Sequence, residues 1–181
     1  MSADPQGTLE LLCDSLKACG AGRITLRGES MHPTLQEGWK LHVRSAPAQA
    51  LQVGDIGIFI HSGVLTVHRL IWKKRTAGKE QLVFQGDNNA VRELVAPEAV
   101  LGRVEAAEVE RVDGLGPRPF SVGSDARAWF YRSLYRIHAP LQALLPGSGL
   151  PEDGEPPGAA YRVLRFLFRA LEPVFSPRPR R

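Results

Sequence analysis

The chain has 181 residues, 43% hydrophobic and 23% charged, with a net charge of +4. That balance is ordinary for one globular domain with appendages and excludes a largely disordered chain. No window of 18 apolar residues occurs, which excludes a membrane-spanning helix, and no basic segment followed by an apolar one opens the chain.

In chain order, residues 7–19 place Leu9, Leu11, Leu12, Cys13 and Leu16 largely on one face, with Asp14, Ser15 and Lys17 opposite. Gly20 and Gly22 follow as stop signals, so an amphipathic N-terminal helix is expected over residues 1–21. Cys13 and Cys19 on that helix would have Cα atoms about 9 Å apart, beyond the ~7 Å reach of a disulfide. Two buried reduced thiols are expected, in keeping with a reducing compartment. From residue 22 the pattern changes to short alternating or apolar runs split by Gly, Pro and Asp. Arg23–Arg27, Lys40–Arg44, Ile56–Ile60, Leu65–Ile71, Gln81–Phe84 and Val100–Val112 read as about six strands. His61-Ser62-Gly63-Val64 reads as a tight hairpin turn.

These strands predict a mainly β domain, a coiled sheet, over 22–112. Two Pro and three Gly within residues 113–123 mark its end. A linker and helix (Ala126 to about Leu145, capped by Asp125) occupy 113–146. Residues 147–181 hold a second linker, a basic amphipathic helix over Ala159–Leu171 and a Pro/Arg-rich tail. The basic excess belongs mainly to residues 158–181, where Arg162, Arg165, Arg169, Arg178, Arg180 and Arg181 stand against a single Glu172.

Three short runs carry chemistry. Gly28-Glu29-Ser30-Met31-His32-Pro33-Thr34-Leu35 presents a hydroxyl beside a turn; Thr66-Val67-His68-Arg69-Leu70 presents an imidazole on a strand; Gly86-Asp87-Asn88-Asn89-Ala90-Val91-Arg92-Glu93 presents two carboxylates. A serine hydroxyl is a nucleophile only when a base within hydrogen-bond reach takes its proton. Imidazole, with an ordinary pKa of about 6.5, can serve. A carboxylate completes the set by holding the ring in the right tautomer. Taken singly, Ser30 is equally a turn residue, His68 a core histidine, Asp87 a turn former, and Glu93 a surface charge paired with Arg92 or Arg69.

The three runs together resemble the signal peptidase superfamily of serine endopeptidases, which also holds the self-cleaving LexA-type repressors. Ser30-Met31-His32-Pro33-Thr34-Leu35 is similar to its nucleophile box, Ser-Met-x-Pro-Thr-Leu. Val67-His68-Arg69-Leu70-Ile71 resembles the strand of the branch found in the endoplasmic reticulum, archaea and some bacteria, which uses histidine where bacterial leader peptidases and LexA-type proteins use lysine. Gly86-Asp87-Asn88-Asn89 and Val100-Leu101-Gly102-Arg103-Val104 are similar to that branch's later boxes. The resemblance covers roughly residues 22–105. It implies Ser30 as nucleophile and His68 as base. Met31, being apolar, is expected to line the substrate cleft or pack below it, and Pro33, which fixes φ and removes a donor, to hold the turn at the substrate-binding side. That branch usually ends Gly-Asp-Asn-Asn-x-x-Asp-Asp, whereas Arg92 and Glu93 stand in the last two places here. Asp87 and Glu93 are therefore equal candidates to orient His68. Position 28, where the family often has a second hydroxyl for the oxyanion, is glycine. Lys73 and Lys74 are the lysines that a rival Ser–Lys dyad would use.

The expected protein is a soluble serine endopeptidase acting on an extended peptide or precursor protein, with no cofactor, no metal and no nucleic-acid partner. A LexA-type switch that cuts itself or a partner, and an inactive peptide-binding module, are the alternatives. The expected location is the cytoplasm, with the basic helix over Ala159–Leu171 available for weak peripheral contact with an anionic membrane.

Overall fold

The structure, a computed structural model, describes residues 5–76, 79–89, 91–109, 118–122, 128–129 and 132–133. Helix α1 (Pro5–Cys19) leads into strands β1 (Ala21–Thr25), β2 (Lys40–Ser45), β3 (Ile56–His61), β4 (Val64–Thr76), β5 (Lys79–Gln85), β6 (Arg92–Val95), β7 (Val100–Val109) and β8 (Arg118–Ser121). All pair antiparallel in one sheet, in the order β1-β2-β7-β3-β4-β5-β6, with β8 also on β7. One edge of β7 takes β2 along its length, and the other takes β3 at its start and β8 at its end. The mainly β architecture is the expected one.

Strand β3 lies at the centre and is buried on both faces, as its unbroken apolar run requires. Ile56 and Ile58 join a core of Leu12, Leu16, Ile24, Met31, Leu41 and Val104, while Phe59 joins Leu51, Leu70, Leu82 and Phe84 on the other side. The β3–β4 turn has positive φ at both central residues, Ser62 (50°) and Gly63 (75°), the backbone that best matches strand twist in a two-residue hairpin.

Several expectations are corrected. Two strands beyond the expected six are present: β6, four residues with two charges, and β8, which contains Pro119. Neither has the apolar alternation that announces a strand, and backbone pairing with β5 and β7 supplies what side-chain pattern does not. The sheet therefore extends past residue 112. Within α1, Leu12 and Leu16 are buried but Leu11 is 74% exposed, because adjacent helix residues turn about 100° apart and cannot share a narrow face. The thiols are free but not both buried: Cys13 is half-buried and Cys19, at the helix end, is exposed. The basic helix over Ala159–Leu171 and most of the preceding one lie outside the described residues. Among the described residues, no helix is long and apolar enough to cross a membrane.

The β2–β7 seam is closely fitted. Glu105 is held below the ordinary carboxylate range by the Arg44 side chain and then by Arg103. A depressed carboxyl contributes stability above its unfolded value, and that contribution is lost as pH falls through the folded one. Gly102 faces Ser45 in register, and a Cβ there would run into the Arg44 carbonyl oxygen and lie 3.0 Å from its carbon. Both obstacles are backbone, so no rotamer change relieves them. Gly102→Ala should therefore destabilise the fold by about 1–3 kcal/mol. A lowered urea midpoint with an unchanged slope is the expected measurement.

Candidate active site

Strand alternation sends His68 and Arg69, neighbours in β4, to opposite faces. His68 is buried, its ring edge-on to Phe59 with centroids 6.3 Å apart. In register, Leu70 pairs with Phe84, and Phe84 in turn with Glu93 of β6. Paired residues share a face, and this one brings Glu93 to the imidazole: His68 Nδ1 lies 2.7 Å from Glu93 Oε2. An ionised carboxylate has only acceptor atoms, so this contact puts the ring proton on Nδ1 and leaves Nε2 free to accept one.

Nε2 points to Gly86. A Cβ at Gly86 would be 3.0 Å from His68 Nε2 and 2.6 Å from the Ser30 carbonyl oxygen, so Ser30 and the ring meet across this glycine. Any side chain at position 86 would crowd both. Among the described residues, the Ser30 hydroxyl donates no hydrogen bond to His68; it is the Ser30 carbonyl that lies against Gly86.

Asp87 takes a different place from Glu93. It accepts Arg69 Nε on Oδ1 and Arg69 Nη2 on Oδ2, each at 2.9 Å, a two-pronged ion pair with both side chains buried. Arg69 also donates from Nη1 to the Gly54 carbonyl at 2.8 Å. On its outer side Asp87 accepts the Thr34 hydroxyl. Asn88 extends the link, its amide donating to the Ser30 carbonyl at 2.7 Å and its side-chain Nδ2 to the Glu29 carbonyl at 3.3 Å. The 86–89 turn thus grips the 29–34 loop through three hydrogen bonds. Within that loop, His32 N donates to Glu29 O and Leu35 N to Met31 O, and Gly28 takes φ 80°, a conformation that glycine adopts without penalty.

The two carboxylates are separated by these contacts: Glu93 touches His68 and Asp87 does not. Met31 is fully buried in the main core, the packed-below of its two expected places. Its apolar chain follows the same core-seeking rule as Leu35 beside it. Pro33 remains partly exposed. Lys73 turns its ammonium to the Ala48 and Gln49 carbonyls, at 3.5 and 3.4 Å. His42, outside any of the three runs, pairs with Glu108 at 2.6 Å. Arg92, a candidate surface partner for Glu93, is itself buried. The contacts of Thr34 and Gly54 escaped the sequence because each joins residues distant along the chain; for Thr34 the only available signal was its membership of the nucleophile-like run.

Residues 4–105 match the family model described as Peptidase S24-like. No curated protein matches the chain. The matched stretch contains Ser30, His68, Asp87 and Glu93 and ends within β7.

Breaking one side of the buried Arg69–Asp87 pair leaves the other charge without its counter-ion in the interior. Arg69→Met should cost about 3–5 kcal/mol of stability, well beyond the loss expected for an exposed ion pair. Chemical denaturation of the variant is the check, and a loss under 1 kcal/mol would contradict this account of the pair.

Proposed function

Because the chain belongs to the Peptidase S24-like family, we propose that it is a serine endopeptidase of the signal-peptidase type with a histidine base, cutting an extended peptide or precursor. The observation that carries this reading is the Glu93–His68 contact at 2.7 Å with Nε2 turned to Gly86, beside Ser30. The contact supports His68 as a base oriented by Glu93, with the Ser30 backbone on the Nε2 side of the ring.

In this mechanism Ser30 Oγ attacks the peptide carbonyl carbon while His68 Nε2 takes the hydroxyl proton. Glu93 stabilises the imidazolium that forms. The carbonyl oxygen becomes an oxyanion, for which the Ser30 amide is the nearest candidate donor; among the described residues it donates to no other acceptor. Collapse of the tetrahedral species breaks the C–N bond, and His68 returns the proton to the leaving amine. Water, activated by the same ring, then releases the acyl group from Ser30. Asp87 stays an ion-pair partner of Arg69 and takes no proton. As the resemblance implies, small side chains before the cut would suit the cleft, with the loop around Pro33 forming one wall.

The reading is tested with a serine-directed phosphonylating probe and mass mapping of the adduct. Wild-type chain should be labelled at Ser30. Ser30→Ala should lose labelling and peptide cleavage altogether while unfolding at the parental temperature, since a partly exposed hydroxyl contributes little to packing. Glu93→Gln should slow labelling by about 10² or more, because an amide no longer enforces the Nδ1 proton, whereas Asp87→Asn should act mainly on stability. Labelling of wild type elsewhere than Ser30, or an undiminished rate in His68→Ala, would sink the proposal. Shortening of the chain itself during incubation, without cleavage of added peptides, would point instead to a self-cleaving switch.

A further inference from the structure

The family-matched stretch stops at residue 105, yet two residues well beyond it are seated directly behind the buried ion pair. Ala128 is fully buried against Gly54, where a Cβ would lie 2.6 Å from the Ala128 carbonyl oxygen and 2.9 Å from its Cα. Gly54 has φ 97°, so both its conformation and the close approach demand glycine. Arg132 clasps the residues on either side: Nε donates to the Val53 carbonyl at 3.0 Å, and Nη2 pairs with Asp55 Oδ1 at 2.7 Å. The other Asp55 oxygen accepts the Gln52 amide and closes the turn.

This turn is the floor on which Arg69 rests. Gly54 N donates to Leu70 O at 2.7 Å and Leu70 N to Asp55 O at 2.8 Å, while Gly54 O accepts the Arg69 guanidinium. A continuous chain of contacts therefore runs from Arg132 through the Val53–Asp55 turn to Arg69, to Asp87, and on to Thr34 and Asn88, which hold the Ser30 loop. Close-packed interiors transmit displacement along such a chain because there is little free volume to absorb it. A misplacement of about 1 Å at a reacting group can cost about 10² in rate.

We infer that Arg132 is a positioning residue for the Ser30–His68 site, acting from a segment outside the peptidase-family match by fixing the turn that seats Arg69. The inference rests on the catalytic reading above. It gives the region after β8 a task in the chemistry: Ala128 and Arg132 complete the support of the Ser30 loop, and a chain lacking them would carry every family run yet hold Ser30 loosely.

The test uses the full chain with Arg132→Ala and Arg132→Lys. Lysine keeps the charge facing Asp55 while losing the fixed fork that also reaches Val53. Two quantities are read. One is the second-order rate of Ser30 phosphonylation, separated from its end-point so that a lower fraction of folded molecules is not mistaken for a slower site. The other is amide hydrogen exchange at Asn88, whose amide is bonded to the Ser30 carbonyl, relative to Ile58 in the central strand. Arg132→Ala should phosphonylate about tenfold more slowly and exchange Asn88 about tenfold faster, with Ile58 little changed and lysine restoring part of both. Unchanged Asn88 protection overturns the inference whatever the rate, and so does faster exchange with an unchanged rate. If wild type is not labelled at Ser30 at all, the catalytic reading fails by itself. Asn88 exchange then still decides whether Arg132 holds the loop.

Discussion

The ion pair between Arg69 and Asp87 organises everything around it. Removing a guanidinium and a carboxylate from water is costly, and their attraction offsets that cost only with good geometry and further hydrogen bonds to the remaining polar atoms. Both conditions are met here. The pair is bidentate, Gly54 O takes another Arg69 donor, and Thr34 donates to Asp87. Each of these partners lies on a different loop, so satisfying one buried pair fixes three loops relative to β4. The Ser30-bearing loop is one of them.

Neighbouring positions on a single strand divide the labour. His68 faces Glu93 and Gly86, and Arg69 faces Asp87 and Gly54. A pleated strand sends consecutive side chains to opposite faces, so a titratable base and a permanent cation can be adjacent in sequence without sharing a carboxylate. The separation matters chemically. A guanidinium on the same carboxylate as the imidazole would weaken that carboxylate's support for a developing imidazolium. Glu93, on β6, is reserved for the ring, and its register opposite Phe84 places it there.

Glycine does at two points what no other residue could. Gly86 leaves room for the Ser30 carbonyl and His68 Nε2, which a Cβ there would crowd, and Gly54 accommodates Ala128 from behind. One acts on the front of the site and the other on its support. Together they show that the local packing around the catalytic candidates is set by backbone approach as much as by side-chain contact.

Much of this was legible in the sequence. The alternation of β2 follows from burial on one face of a sheet and the apolar runs of β3, β4 and β5 from burial on both, and the Ser62-Gly63 turn from its tolerance of positive φ. Ser30, His68, Asp87 and Glu93 could be picked out from three short runs, since each run carries its reactive side chain beside turn or strand signals that are local. By itself, then, the sequence determined the mainly β class and the hairpin, and singled out the residues proposed for the site. It did not determine which carboxylate meets the imidazole, because that depends on the register of β6 against β5, and a four-residue strand with two charges carries no apolar pattern from which to read a register. Nor did it reveal the burial of Met31, the exposure of Cys19 or the grip of Arg132 on the Gly54 turn. Those are facts about residues far apart in the chain, and only tertiary packing, which brings them within a few ångströms, decided them.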